Sequence, residues 1–218
     1  EAVKQGRNIY DNIKKAIHFL ISTNIGEIVT IFFGLILGIK SPLLAIQLLW
    51  INVVTDGIQD FALSFEKAEE GILKERPRDP KESIFNKELF QEILVSGLVV
   101  GGVVFTVWYF LLTKLNMDVS MARGYIMALM VFIQNIHVFN CRSEHRSAFS
   151  VPIKNNWLIV GGVVVSIILQ VIVMEVPFLS KFLQTTSVPF LHLIYLFAIG
   201  LLVLVVMEIY KKINNLIK

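Results

Sequence analysis

The chain has one cysteine, Cys141, in 218 residues. That scarcity excludes an internal disulfide framework and a cysteine-based metal cluster, and leaves Cys141 as an ordinary free thiol near a helix end. Charge is scarce as well. Only 17% of residues are charged while 55% are hydrophobic, sixteen of them Phe, a balance that a soluble domain of this length does not need and that places the chain in the membrane class. No segment alternates apolar and polar residues with a period of two, which removes a transmembrane β-barrel. The opening stretch "EAVKQGRNIYDNIKK" is polar, lacks a starting Met and shows no cleavable signal pattern, so the chain is expected to be a piece of a longer one. The net charge of +3 does not point to nucleic acid, and no such partner is expected, because the basic residues fall between the apolar segments.

What the sequence does have is apolar runs of membrane-spanning length, about 20 residues each. Six are expected: 16–37, 43–65, 90–112, 122–139, 157–175 and 189–210. Lipid offers no hydrogen-bond partner to a peptide group, so each must be helical, giving an all-α polytopic membrane protein. The segment 122–139 is the weakest of the six, being short and carrying Gln134, Asn135 and His137. With both termini cytoplasmic, 16 of the 20 Lys and Arg residues fall on the cytoplasmic side; only Lys40, Lys114, Arg123 and Lys181 fall opposite. That asymmetry supports six spans. Trp157, Tyr109 and Tyr210 lie near span ends, where aromatic anchors sit. Residues 1–15 read as a stalk helix with Ile9, Ile13 and Ile17 at four-residue spacing, 16–65 as a hairpin of two spans, 90–210 as four supporting spans, and 211–218 as a tail. The one long connection, 66–89, carries both signs of charge with Pro77 and Pro80, and is expected to be an ordered cytoplasmic docking loop.

The polar residues inside the first two spans pose the chemical question. In "LISTNIGEIV" (20–29) Asn24 and Glu27 are three residues apart on one helix face. In "LLWINVVTDGIQDFAL" (48–63) Asn52, Thr55, Asp56 and Asp60 follow the same periodicity. At about 1.5 Å per residue, Glu27 lies roughly 16 Å deep from one side and Asn52 roughly 15 Å from the other. A bilayer core is about 30 Å thick, so the two clusters meet near its middle. Each ionised carboxylate there costs about 2.5–3.5 kcal/mol. Neither span holds a Lys or Arg to offset it; His18 is the only basic candidate. Two readings are open: neutral carboxyls joined in an interhelical clasp, or an oxygen cage for a hard cation such as Ca2+, Mg2+ or Na+. Gly57, directly after Asp56, is a place where the helix can loosen and lend carbonyl oxygens. Zinc or copper would favour Cys and several His, a set these spans lack. Gln134 and Asn135 are further candidate ligands, His137 reads as an interhelical hydrogen-bonding residue, and Gln170 and Glu175 are expected toward water at the outer interface.

The stretches "QGRNIYDNIKK" (5–15), "LISTNIGEIV", "QLLWINVVTDG" (47–57) and "RPRDPKE" (76–82) occur in an order that resembles the C-terminal membrane region of P-type cation-transporting ATPases, especially the sarcoplasmic-reticulum-type calcium pumps. The likeness is strong through about residue 90 and topological beyond. It implies that the six helices are the fifth to tenth of ten, and that Asn24 and Glu27 of "N-x-G-E" and Asn52, Thr55 and Asp56 of "N-x-x-T-D" are ion ligands. Gln134 stands where reticulum-type pumps carry Glu, as in plasma-membrane-type pumps, and "IQD" after "TDG" brings Gln59 and the extra acid Asp60. These departures leave open a single bound ion or a cation other than calcium. The resemblance implies Ca2+ as the transported ion, with Mg2+ and ATP used only by domains outside this chain, since no "DKTGT"-type phosphorylation sequence or nucleotide-binding segment is present. The implied partners are the lipid bilayer, the phosphorylation, nucleotide and actuator domains, and four further helices; the implied location is the plasma membrane. The alternatives are a gradient-driven carrier, which would often show repeat symmetry, and a noncatalytic membrane subunit, which leaves the converging acids unexplained.

Overall fold

The computed structural model describes residues 1–68, 72–73, 84–144 and 146–217. Most of the expected docking loop, including Pro77 and Pro80, lies outside the described residues. Helix α1 runs unbroken over Ala2–Ile36. The stalk and the first span are therefore one rod of about 52 Å, longer than the roughly 30 Å apolar layer it crosses, so part of it stands clear of lipid. The rod ends at Leu37 and Gly38, whose φ of +64° suits a residue without a Cβ, and Pro42 follows.

The second passage is not one regular helix. It consists of α2 (Ala45–Ile51), a π-helical turn over Asn52–Asp56, and α3 (Gly57–Leu63). Four longer passages complete the bundle: α4 (Lys87–Thr113), α5 (Val119–Cys141), α6 (Trp157–Glu175) and, after the short α7 (Pro177–Phe182), α8 (Phe190–Ile217). Among the described residues five helices, one in each passage but the interrupted second, are long and apolar enough to cross a membrane. Side-chain oxygens start three of them: Asn86 accepts from Leu89 N–H, Asp118 from Ser120 and Met121, and Asn156 from Leu158, each satisfying amides that a helix start leaves unpaired.

Contacts at the two ends show how the passages alternate. At one end Lys14 meets Glu144, and Lys211 Nζ donates to the carbonyls of Asn140 and Ser143 at 2.6 and 2.5 Å. The early part of α1, the end of α5 and the late part of α8 therefore share that end. At the other, Trp108 donates to the Lys40 carbonyl, Arg123 to that of Ser41, and Gln47 to those of Leu183 and Gln184.

Helix α5 is the axis. Every residue from Gly124 to Val138 is buried, which corrects the view of 122–139 as the doubtful span: it is more polar because protein, not lipid, surrounds it. Gln170 is likewise buried rather than turned to the outer water, and accepts from Trp50 Nε1 at 2.9 Å; Glu175 is exposed as expected. His18 has Glu92 of α4 as its acidic neighbour, Nδ1 to Oε2 3.8 Å, so it is not the counter-charge to the carboxylates of the first hairpin.

Helices α1 and α4 approach closely along a seam of small residues. A Cβ added at Gly101 would lie 2.5 Å from Val29 Cγ1 and 2.8 Å from the Gly26 carbonyl oxygen, and one at Gly97 would lie 2.5 Å from Ile25 Cγ2. Gly102, one residue on, has nothing within 4 Å. Gly101→Ala should therefore destabilise the protein by about 1–3 kcal/mol through overpacking, while Gly102→Ala should be neutral or gain the helix propensity of alanine, up to about 1 kcal/mol. Thermal midpoints of the two variants in the same detergent check this; equal midpoints would rule out a tight seam.

Candidate cation site between three helices

Glu27 on α1, Thr55 and Asp56 on the π turn and Gln134 on α5 converge in the bundle interior. All four are buried, at 6%, 0%, 3% and 0% exposure. Gln134 joins the two hairpin arms: its Nε2 donates to Glu27 Oε1 at 3.1 Å, and its Oε1 accepts from the Thr55 hydroxyl. The hydroxyl of Thr23, buried one turn before Glu27, lies 3.3 and 3.4 Å from the two oxygens of Asp56. Asp56 is near enough to Glu27 and Asp60 for their charges to act on it. The arrangement thus holds two carboxylates, a carboxamide and two hydroxyls, with no Lys or Arg among them. Like charges in low dielectric repel strongly, and a cation or protons must balance them.

The π turn accounts for part of the convergence. Its closing bond runs from Gly57 N–H to the Asn52 carbonyl, one residue longer than an α turn, so it rotates Thr55 and Asp56 against the segments on either side. The irregularity lies before Gly57, not after it. Gly57 itself has ordinary helical dihedrals (φ −59°, ψ −38°), and the loosening expected beside it falls on Asn52–Asp56, in the turn that its N–H closes.

The remaining candidates stand further back. Asn24 is half-buried and donates to its own helix, Nδ2 to the Leu20 carbonyl at 2.6 Å. Asn52 is half-buried with its Oδ1 screened from solvent and unpaired. Asp60 is also half-buried with Oδ1 unpaired. Asn52 and Asp60 therefore each keep a buried oxygen free to accept a ligand. Thr23 was not singled out from sequence; its three-residue offset from Gly26 and four-residue offset from Glu27 was the available signal. Also unforeseen is the adjoining chain in which Gln59 Nε2 donates to Asn135 Oδ1 and Asn135 Nδ2 to Ser166 Oγ, each at 2.8 Å. It ties α3 to α5 and α6 and uses Asn135 for packing, not for the carboxylates.

Residues 40–213 match the family described as "Cation transporting ATPase, C-terminus". The chain belongs to that family. Among its relatives are a calcium-transporting ATPase of Bacillus subtilis, 36% identical over 86% of this chain and 21% of its own length; calcium-transporting ATPase 1 of Bacillus cereus, 32% identical over 97% and 25%; and calcium-transporting ATPase type 2C member 1 of Homo sapiens, 33% identical over 98% and 23%. The chain thus spans about a fifth to a quarter of the length of these relatives. Membership in the cation-transporting ATPase family and the long apolar helices together make it an integral, multi-pass membrane protein of all-α architecture, the C-terminal membrane part of such an ATPase.

Within this family member a second buried polar assembly fixes the end where the termini lie. Arg142 forms a bidentate pair with Glu66, Nε to Oε2 at 3.0 Å and Nη2 to Oε1 at 2.7 Å, both residues being 2% exposed. Asn156 donates to the same carboxylate at 3.2 Å, and Asn12 of α1 to the Glu66 carbonyl at 2.8 Å. The first residues of the long connection are thereby clamped to α1 and to the segment between α5 and α6. His137 acts as expected in joining helices, with Nε2 2.9 Å from Ser22 Oγ of α1.

Proposed function

We propose that this chain is the ion-binding region of a calcium pump driven by ATP, with Glu27, Asp56, Thr55 and Gln134 as the core of the transport site and Asn24, Asn52 and Asp60 as outer ligands. The observation that carries this reading is the meeting of Glu27, Asp56 and Gln134 from three helices in the bundle interior with no basic side chain among them. Hard oxygens in that number suit Ca2+, which takes six to eight oxygen ligands in flexible geometry. The names of the relatives support calcium as the transported ion. ATP and Mg2+ would act in phosphorylation, nucleotide and actuator domains carried elsewhere in the whole protein, and four further membrane helices would complete the cage.

In this reading the six passages are six membrane spans with both termini in the cytoplasm, in line with the distribution of Lys and Arg. Residues 1–15 are the stalk through which α1 is tilted, and 66–89 the loop that docks the phosphorylation domain. Transport requires that the site bind the ion differently in its two orientations, and α1, a single rod from stalk to Glu27, suits that coupling. The bacterial relatives favour the plasma membrane as its location.

The test is ATP hydrolysis by the intact protein against free cation concentration. Calcium should stimulate it in the presence of Mg2+, and Mg2+ alone should not; stimulation by a different cation, or none, overturns the reading. Gln134→Ala removes the bridge between Glu27 and Thr55, and should raise the calcium concentration for half-maximal activity by about tenfold, the equivalent of roughly 1.4 kcal/mol. An unchanged value would remove Gln134 from the site.

A further inference from the structure

Nearer the termini, α1 and α5 enclose a different set of ligands. His18, His137 and Cys141 are buried at 1%, 0% and 1% exposure, and one ligand atom from each can be chosen so that all lie within 4.8 Å of one another. From sequence the first two spans lacked the Cys and His that zinc or copper favours; helix packing supplies them by setting His18 of α1 against one face of α5, where His137 and Cys141 are a turn apart. The rings of His18 and His137 meet edge to face at 5.6 Å.

Two features mark this as more than a packed polar cluster. His18 Nε2 is screened from solvent and has no hydrogen-bond partner, although buried polar atoms nearly always find one. Its other nitrogen, Nδ1, faces Glu92 Oε2 at 3.8 Å. At that distance no hydrogen bond is formed, but the carboxylate favours a proton on Nδ1 and so a lone pair on Nε2; an approach of roughly 1 Å would complete the carboxylate–histidine arrangement that orients metal-binding imidazoles. On the facing helix His137 Nε2 is already turned to the thiol, 3.4 Å from Cys141 Sγ. Zinc takes nitrogen at about 2.0–2.1 Å and sulfur at about 2.3 Å, so a tetrahedral N···S pair is about 3.6 Å apart. The His137–Cys141 pair therefore has close to the needed spacing, and the widest separation in the set must close by roughly 1 Å.

We propose that His18 Nε2, His137 Nε2 and Cys141 Sγ form a site for a thiophilic d10 ion, Zn2+ foremost, with Ser22 Oγ completing the tetrahedron. On binding, the S–H bond breaks, the sulfur keeps the electron pair for its bond to zinc, and the proton leaves to solvent. His137 exchanges its hydrogen bond to Ser22 for the metal, with its proton on Nδ1. The Lys211 ammonium is the strongest charge acting on Cys141 and opposes a cation there, while the Glu92 and Asp60 carboxylates act the other way. The site is separate in chemistry from the oxygen cage, and it stands whether or not that cage carries calcium. Occupied, it would bolt α1 to α5 about 13 Å along α1 from Glu27, and so hold still two helices that the transport site joins.

The experiment is Co2+ and Zn2+ titration of the intact protein, purified in detergent and stripped with a chelator, with wild type read against Cys141→Ser so that thiols elsewhere cancel. The difference spectrum should show a thiolate-to-cobalt charge-transfer band that saturates at one equivalent and is displaced by Zn2+. His18→Gln and His137→Gln should each weaken Zn2+ binding at this step at least about tenfold, and Glu92→Gln about 10–100-fold, the usual effect of losing an outer carboxylate. No difference band, or Zn2+ affinity unchanged in both histidine variants, overturns the proposal. Should Cys141→Ser fail to fold, Cys141→Ala replaces it as the reference, with the same band expected in the difference and the same absence overturning it. Calcium-dependent ATP hydrolysis need not be measured, so failure here is distinct from failure of the pump reading.

Discussion

Asp56→Asn in the intact protein should abolish cation-dependent phosphorylation from ATP while leaving the protein in the membrane. The side chain keeps its size, and its remaining carbonyl oxygen can still accept from Thr23, whose hydroxyl lies 3.3 Å from Asp56 Oδ1. The fold has little reason to change. What changes is charge. Asp56 and Glu27 are the two carboxylates in a buried set with no Lys or Arg, and their charges must be balanced by a cation or by protons. Replacing one should weaken cation affinity by at least about a hundredfold, or about 2.7 kcal/mol. Phosphorylation assayed across cation concentration, with membrane levels measured by immunoblot, checks the result. An unaltered cation dependence would remove Asp56 from the site. Thr23→Ala is the companion: it deletes a positioning hydroxyl but no charge, and a shift well below that of Asp56→Asn is expected.

The second large effect concerns stability. Arg142→Met leaves the Glu66 carboxylate 2% exposed with Asn156 as its one remaining side-chain partner among the described residues. Breaking one side of a buried pair costs about 3–5 kcal/mol, because the surviving charge is stranded. The double change Arg142→Met with Glu66→Leu removes both charges and should recover most of that loss, since buried ion pairs often exchange for apolar residues at little net cost. Unfolding midpoints in detergent for wild type, each single variant and the double variant close the cycle. If the double variant is as unstable as the sum of the singles, the pair is not the source of the effect. The pair ties the start of the long connection to the end of α5, beside the Asn12 bond that holds the same residue to α1.

Much of this architecture was legible because lipid is an undemanding solvent to read. Apolar runs of bilayer length have one structural solution, and the imbalance of Lys and Arg orders them. The acids of the first hairpin were visible for the opposite reason, as residues that lipid would not tolerate without a partner. What sequence misplaced were the cases where protein substitutes for lipid. The segment 122–139 looked doubtful because Gln134, Asn135 and His137 lower its apolar character, yet those residues mark it as the central helix, each engaging a neighbour on α1, α3 or α6. Gln170 was assigned to the water interface by the same logic and is paired with Trp50 instead.

By itself, then, the chain's order of residues determined that helices form, where most of them begin and end (the last runs on to Ile217, through the expected tail), and which few polar groups inside them must be met by something. Those follow from local periodicity and from the price of an unpaired charge in oil. Only tertiary structure decided who meets whom: that the second passage runs through a π turn at Asn52–Asp56, that His18 faces Glu92 and not the carboxylates of the first hairpin, and that one cysteine and two histidines come together. Side-chain partnership across helices depends on rotation and axial offset of each rod against the others, set by close contacts such as those of Gly97 and Gly101 with α1, and no single helix carries that information in its own sequence.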